Sequence, residues 1–205
     1  MNAKQIVREG YDLVSHAYHA EAFDSAHDYV GWIETLCSSL GSNPRILDLG
    51  CGCGVPVSQL LATRARVTGV DFSAVQIERA RALVHGADFV CEDMCTVHFP
   101  AESFDAVVSF YAIIHVPLEE QRLLLQRIAG WLPIGGVFMA TLGARAWTGS
   151  EEDWLGGGGA TMYFSHASSA TYRSWLEAAG FSIIREGFVP EGEGGHQLFL
   201  ARRTV

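Results

Sequence analysis

The sequence predicts an α/β protein built on a doubly wound, mostly parallel sheet with helices on both of its faces. Two observations carry that expectation. From Arg45 onward short apolar runs alternate with helix-period segments, as in strands joined by crossover helices. The last two runs, Phe181–Val189 and Gln197–Ala201, have no helix between them, so they must form an antiparallel pair. With 205 residues, 49% of them apolar, there is material for one sizeable core and for one α/β domain.

The first forty residues read as helical: Tyr29, Ile33, Leu36 and Leu40 recur at helical spacing, with Ser25 as N-cap and Gly41 beyond the end. Residues 1–41 are therefore expected to form a helical cap and residues 42–205 a single globular unit. Ile46–Leu49 is the first strand, and Pro56–Thr63 a helix with proline in its first turn. Val67–Val70 is the second strand. Ser73 then opens a helix in which Gln76 completes a capping box and Gly86 marks the end. Strands follow at Phe89–Cys91 and Phe104–Phe110, a helix after Pro117 carries Leu124, Leu125 and Ile128, and Gly136–Leu142 is the fifth strand. A helix over Ser169–Ala179 stops at Gly180, ahead of the closing pair.

The formal net charge of −9 argues against a partner that presents phosphates, since nucleic-acid binding rests on clustered Lys and Arg. No apolar run approaches the roughly 20 residues of a membrane helix. Residues 1–15 carry Lys4, Arg8, Glu9 and Asp12 where a signal peptide would be apolar. Five cysteines without secreted-domain spacing read as reduced thiols of a cytoplasmic protein. Neither Cys51-x-Cys53 nor Cys91-x-x-x-Cys95 has a four-ligand zinc spacing, and no bound metal is expected.

Ligands of doubly wound sheets bind outside the C-terminal strand ends, where the strand order reverses. The first strand ends in Leu47-Asp48-Leu49-Gly50-Cys51-Gly52-Cys53-Gly54. Glycines there permit positive φ and let backbone approach a ligand, and the loop feeds a helix N-terminus, which attracts anionic groups. A dinucleotide fingerprint needs a third glycine where Val55 stands. No Gly-Lys-Ser/Thr follows either, which excludes a phosphate-cradling P-loop. Asp71, ending the second strand, lies at the distance expected of an acid that accepts both ribose hydroxyls. Asp93, after the third strand, is placed to accept from an adenine amino group, with Met94 or Phe72 against the ring.

The segments Ile46–Gly54, Gly69–Ser73, Phe89–Met94, Phe104–His115 and Trp131–Thr141 resemble, in order and spacing, the successive motifs of class I S-adenosylmethionine-dependent methyltransferases. The resemblance implies seven strands, the last antiparallel, a helical N-terminal lid, and S-adenosylmethionine as cofactor. It implies that Gly50, Gly52 and Gly54 lie along the methionine moiety, that Asp71 holds the ribose and that Asp93 with Met94 holds the adenine. Asp48 matches the acidic position before the loop. The activity implied is methyl transfer to a small-molecule O, N, S or C nucleophile. A catalytically silent cofactor-binding protein and a nicotinamide-dependent oxidoreductase are the alternatives. Where amine methyltransferases of this class carry Asn/Asp-Pro-Pro-Tyr, this chain has Ser109-Phe110-Tyr111-Ala112, and the carboxylate cluster of metal-dependent catechol-type enzymes is missing.

Further residues of the pocket are expected from three places. Tyr111 and His115 follow the fourth strand, Tyr111 expected against the cofactor and His115 as a base, as a ring packed on the cofactor or as a cap of the next helix. The N-terminal helix offers Tyr11 and Tyr18, with His16, His19 and Phe23. In similar enzymes such a helix closes over the cofactor, so Tyr11 and Tyr18 are expected against it, Tyr18 also as a catalytic residue. An aromatic face there favours a sulfonium by about 0.5–2 kcal/mol. The insertion Trp147–His166, with Trp154, Tyr163, Phe164 and a run of four glycines, reads as an aromatic lid on a glycine hinge. It adds His166 as a further base candidate, and His196, before the last strand, is a third.

Overall fold

The computed structural model describes residues 2–18, 26–156 and 159–205. The chain opens with helix α1 (Ala3–Tyr18), whose Val7, Gly10 and Val14 form one buried stripe at helical spacing. Helix α2 (Ala26–Ser38) buries Tyr29, Ile33 and Leu36, the face its periodicity marks. Strand β1 (Arg45–Leu49) then leads through the glycine loop into α3 (Val57–Ala62), with Pro56 at its N-cap.

Next come β2 (Arg66–Asp71) and α4 (Ala74–Leu83), capped by Ser73 accepting from the Gln76 N–H. The expected capping box is only half made. The Ser73 N–H donates instead to Asp71 Oδ1, and the Gln76 side chain accepts from Ser15 Oγ, so tertiary partners displace the reciprocal local bond. Strands β3 (Ala87–Cys91) and β4 (Ala106–Ser109) follow, then α5 (Leu118–Trp131), β5 (Val137–Gly143), β6 (Trp147–Glu151), β7 (Met162–His166), α6 (Ser169–Ala178), β8 (Phe181–Glu191) and β9 (Gly194–Arg203).

Seven strands form one sheet in the order β3-β2-β1-β4-β5-β9-β8. β1 pairs in parallel with both β2 and β4, and β9, last in sequence, runs antiparallel between β5 and β8. Strand order reverses at β1, so a crevice opens above the C-terminal ends of β1 and β4. Both faces are covered. Ile46, Val67, Val108 and Met139 pack under α2 and α3, and Phe89 and Cys51 continue that face under α4. On the other face Leu47, Val107, Phe138 and Ala140 meet Leu124, Leu125 and Ile128 of α5 and Tyr172 and Leu176 of α6.

The Trp147–His166 insertion is not the loop that its glycines suggest. β6 and β7 pair antiparallel, Trp147 opposite His166 through Glu151 opposite Met162, as a separate two-stranded sheet. Met162 and Ser165 are buried, and α1 lies against this hairpin. A Cβ at Gly10 would stand 2.7 Å from the Thr161 carbonyl oxygen, so only glycine permits that approach. No helix among the described residues is long and apolar enough to cross a membrane.

Candidate active site

Beyond Leu49 the chain turns through Gly50, Gly52 and Gly54, at φ +74°, +54° and +78°, a region that side chains rarely enter. The three glycines differ in what surrounds them. A Cβ on Gly50 would lie 2.1 Å from that of Ala112, so the loop is pressed against the segment after β4. A Cβ on Gly52 would have no atom within 4 Å; it would stand in the crevice itself. A Cβ on Gly54 would meet Val84 at 2.9 Å and Phe89 at 3.2 Å. Gly54 thus serves the packing of α4 and β3 and does not line the cleft.

The cleft encloses about 960 Å³, part of it open to solvent, and runs from the glycine loop past Asp71, Phe72, Asp93 and Met94 to Tyr11, Tyr111 and His115. Asp71 stands at the end of β2. Its two oxygens accept from the Gly52 N–H at 3.0 Å and the Ser73 N–H at 2.9 Å, which ties the loop to the second strand. Burial pushes its carboxyl up to about 6, against the pull of those two amides and with a further push from Asp12. Asp48, in β1, is 2% exposed and accepts from Ser58 Oγ at 2.6 Å. Burial raises it to about 7; Ser58 opposes the rise and the charge of Asp71 adds to it.

Asp93 accepts from the Cys95 N–H at 2.8 Å and from the Lys4 ammonium, also at 2.8 Å. Lys4 reaches Glu120 as well, at 2.5 Å. Burial alone would lower the ammonium pKa, but the bonds to Asp93 and Glu120 outweigh it and hold Lys4 above its ordinary range. Further along α1, Ser73 Oγ donates to Asp12, Ser15 Oγ donates to Gln76 Oε1 at 3.0 Å, and Arg79 donates to Ser15. α1 is therefore fastened across the cleft at both ends.

His115 sits in a 3-10 turn (Ile113–His115) and caps no helix; Pro117 takes the N-cap of α5 with no side-chain bond. His115 Nδ1 lies 2.7 Å from the Tyr163 carbonyl oxygen, and Nε2 lies 3.0 Å from the Tyr11 hydroxyl. A carbonyl can only accept, so Nδ1 carries the proton and Nε2 accepts from Tyr11. Burial depresses the imidazole to about 4, against the opposing bond to the Tyr163 carbonyl, so the ring is neutral. The Tyr11 ring meets His115 edge-on at 5.5 Å and Trp154 at 5.4 Å. Tyr111 has φ +55°, an outlier for an aromatic residue. Its N–H donates to Thr141 Oγ1 at 2.6 Å, and its ring stands edge-on to Tyr29 and His196.

The cleft thus brings together Tyr11, Asp48, Gly50, Gly52, Asp71, Phe72, Asp93, Met94, Tyr111 and His115. His166 does not line it. The side chain of Tyr18, like His19 and Phe23, lies outside the described residues. Lys4, Tyr29, Gln76 and Phe110 also line the cleft and were not anticipated. Lys4, Val7 and Tyr11 share one helix face at spacings of three and four, a signal that could have found Lys4. Among the described residues no group of three or more His, Cys, Asp or Glu is arranged to hold a metal.

Residues 46–136 match the family model of a methyltransferase domain. A sterol 24-C-methyltransferase of Gibberella zeae is 28% identical over 89% of this chain and 55% of its own length. The chain spans about half the length of that relative, and 26% of a second sterol 24-C-methyltransferase, from Aspergillus fumigatus. Among solved structures, magnesium protoporphyrin IX methyltransferase of Synechocystis PCC 6803 with bound S-adenosylhomocysteine superposes with a TM-score of 0.73, at 21% identity, covering 99% of this chain and 100% of that one. The 4+2 cyclase SpnF also gives a TM-score of 0.73, at 20% identity, covering 100% and 98%. At such identities these likenesses speak for the fold. Over residues 46–136 the chain thus resembles a methyltransferase domain in sequence, and over its whole length it shares the fold of these structures.

Proposed function

We propose that this protein transfers a methyl group from S-adenosylmethionine to a small, apolar or amphipathic acceptor, with His115 as general base acting through Tyr11. The observation that carries the reading is the continuity of one cleft, with backbone and carboxylates at one end and aromatic rings around a neutral imidazole at the other. The residues suit the cofactor. Gly52 leaves space where a side chain would stand, Gly50 keeps backbone at the methionine moiety, and Asp48 and Asp71 offer buried oxygens to an ammonium and to ribose hydroxyls. Asp93 would accept from the adenine amine, with Phe72 and Met94 against the ring.

When bound, the cofactor supplies a methyl group on a sulfonium, which needs only an aligned nucleophile in a dry site. This chain's residues supply both conditions. α1, clasped by Lys4, Asp12 and Ser15, excludes water, and Tyr111 and Tyr11 bracket the acceptor side. An acceptor that must lose a proton gives it to the Tyr11 oxygen as the Tyr11 proton passes to His115 Nε2. The scarcity of charge on the acceptor side supports an uncharged, largely apolar partner, and the relatives named as sterol methyltransferases fit that chemistry. The five free thiols support a cytosolic setting as part of the same proposal.

Calorimetry with S-adenosylmethionine, S-adenosylhomocysteine and NAD is the first test; binding of NAD without the other two would overturn the cofactor assignment. Release of S-adenosylhomocysteine across a panel of phenols, amines and sterols is the second. Tight cofactor binding with no turnover on any class would favour a silent binding protein, since fold alone does not set chemistry.

A further inference from the structure

Beside the cleft, on the far side of Tyr111, two more histidines meet, and neighbouring backbone brings them together. Gly143 ends β5 opposite His196 of β9. Gly143 has no side chain, so the His166 ring lies across it; a Cβ there would come within 2.4 Å of His166 Nδ1. The two imidazole centroids are consequently 6.5 Å apart, and the His196 ring stands edge-on to Tyr111 at 5.1 Å. Trp147 and Phe164 of the hairpin complete an aromatic surround: Trp147 is 6.1 Å from His166 and 5.7 Å from Phe164.

Each imidazole has one nitrogen committed as a donor. His166 Nδ1 lies 2.6 Å from the Arg145 carbonyl oxygen, and His196 Nε2 lies 2.9 Å from the Glu191 carboxylate. Both partners only accept, so these nitrogens carry the protons. In the neutral rings this leaves His166 Nε2 and His196 Nδ1 as lone-pair acceptors. His196 Nδ1 is buried and has no hydrogen-bond partner among the described residues, a state that costs free energy until a donor fills it.

Resting on the methyltransferase reading, we propose that His196 and His166 form a polar subsite that takes a hydrogen-bond-donating group, a hydroxyl or an amine, on the methyl acceptor. The acceptor is then an amphipathic molecule whose apolar body lies among Tyr111, Trp147 and Phe164. Its donor group anchors it from behind Tyr111, while a separate atom faces the methyl. A metal ion is the competing occupant for paired imidazoles, but no third ligand joins them among the described residues.

The test is NMR of the full chain with 15N-labelled histidine, with and without saturating S-adenosylhomocysteine, titrated with 4-methylphenol and, as control, toluene. 4-Methylphenol is expected to move the resonances of His196 Nδ1 and His166 Nε2 toward hydrogen-bonded values while toluene leaves them in place. His196→Phe should weaken 4-methylphenol about five- to tenfold without changing toluene binding, with thermal melting verifying the fold. In Gly143→Ala the His166 response should vanish and that of His196 persist. The subsite is refuted if neither nitrogen responds, if the two probes act alike, or if zinc chloride moves both nitrogens where 4-methylphenol does not. Failure to bind S-adenosylhomocysteine would instead overturn the methyltransferase reading, because the response to 4-methylphenol without it is read independently.

Discussion

The two ends of the cleft are built on different principles. The cofactor end comes from strand termini and the loops directly after them, so its parts are close in sequence: Gly52 and Asp71, which hydrogen-bond, are 19 residues apart. The acceptor end comes from side chains that only the fold unites: Tyr11 and His115 are 104 residues apart, and His115 and Tyr163 are 48 apart. A backbone-built end can be preorganised by the sheet alone. A side-chain-built end depends on α1 and the hairpin staying docked, so it is where substitutions can alter chemistry without disturbing cofactor affinity.

The largest effect that would sharpen this division is on turnover. His115→Phe should lower kcat about 100- to 1,000-fold, in the range of a lost general base, and Tyr11→Phe should lower it less. Both should leave the S-adenosylmethionine Kd within about threefold, because Tyr11→Phe keeps the ring that faces the sulfonium and His115 stands at the acceptor end. A matching loss of cofactor affinity would dissolve the distinction between the ends.

At the cofactor end, Asp71→Ala should raise the Kd about 100-fold and Asp93→Ala about tenfold, by calorimetry. The difference follows from two ribose hydrogen bonds to a buried carboxylate against one adenine bond, and equal or reversed losses would refute the ribose assignment. Gly50→Ala tests the backbone itself. With a positive φ and a Cβ 2.1 Å from Ala112, it should lower the melting temperature by roughly 5–10 °C. Gly52→Ala, with open space around its Cβ, should melt closer to the parent yet still lose cofactor affinity.

A pH series gives the smallest and most specific contrast. Asp71 and Asp48, raised by burial to about 6 and about 7, must be ionised to accept from the cofactor, so its affinity should fall as pH drops from 7.5 to 5.5. His115, depressed to about 4, stays neutral throughout and adds no acid limb of its own. For folding the sign is the reverse. Because the folded pKa of Asp48 lies above its unfolded value, the unliganded protein loses stability as pH rises from about 4 to 7. Asp48→Asn should therefore melt several degrees higher than the parent at pH 8 and by a clearly smaller margin at pH 5, while binding cofactor less well. A higher melting temperature at pH 5 alone would contradict the burial argument.

Local chemistry made much of this legible in advance. Alternating strands and helices specified the sheet, and the missing helix between Phe181–Val189 and Gln197–Ala201 marked the antiparallel pair. The spacing of Gly50, Gly52, Asp71 and Asp93 located the crevice, because short-range turns and caps hold those residues wherever the sheet forms. Reasoning of the same local kind misjudged Gln76, whose amide answers Ser15 instead of completing its capping box. It also read the Trp147–His166 hairpin as a loop, since a glycine run conceals strand pairing that only long-range hydrogen bonds reveal.

From the sequence by itself come the α/β class, the strand inventory of the sheet, and a cofactor crevice between a glycine loop and the acids after it. Their determinants lie within a strand, a turn or a helix of one another. The tertiary structure alone decided that Lys4 ties α1 to Asp93 and Glu120, that Tyr11 donates to a neutral His115, and that Gly143 lets His166 settle beside His196. These contacts join residues dozens to more than a hundred positions apart, and composition or spacing carries no record of which distant side chains the folding of the sheet will bring face to face.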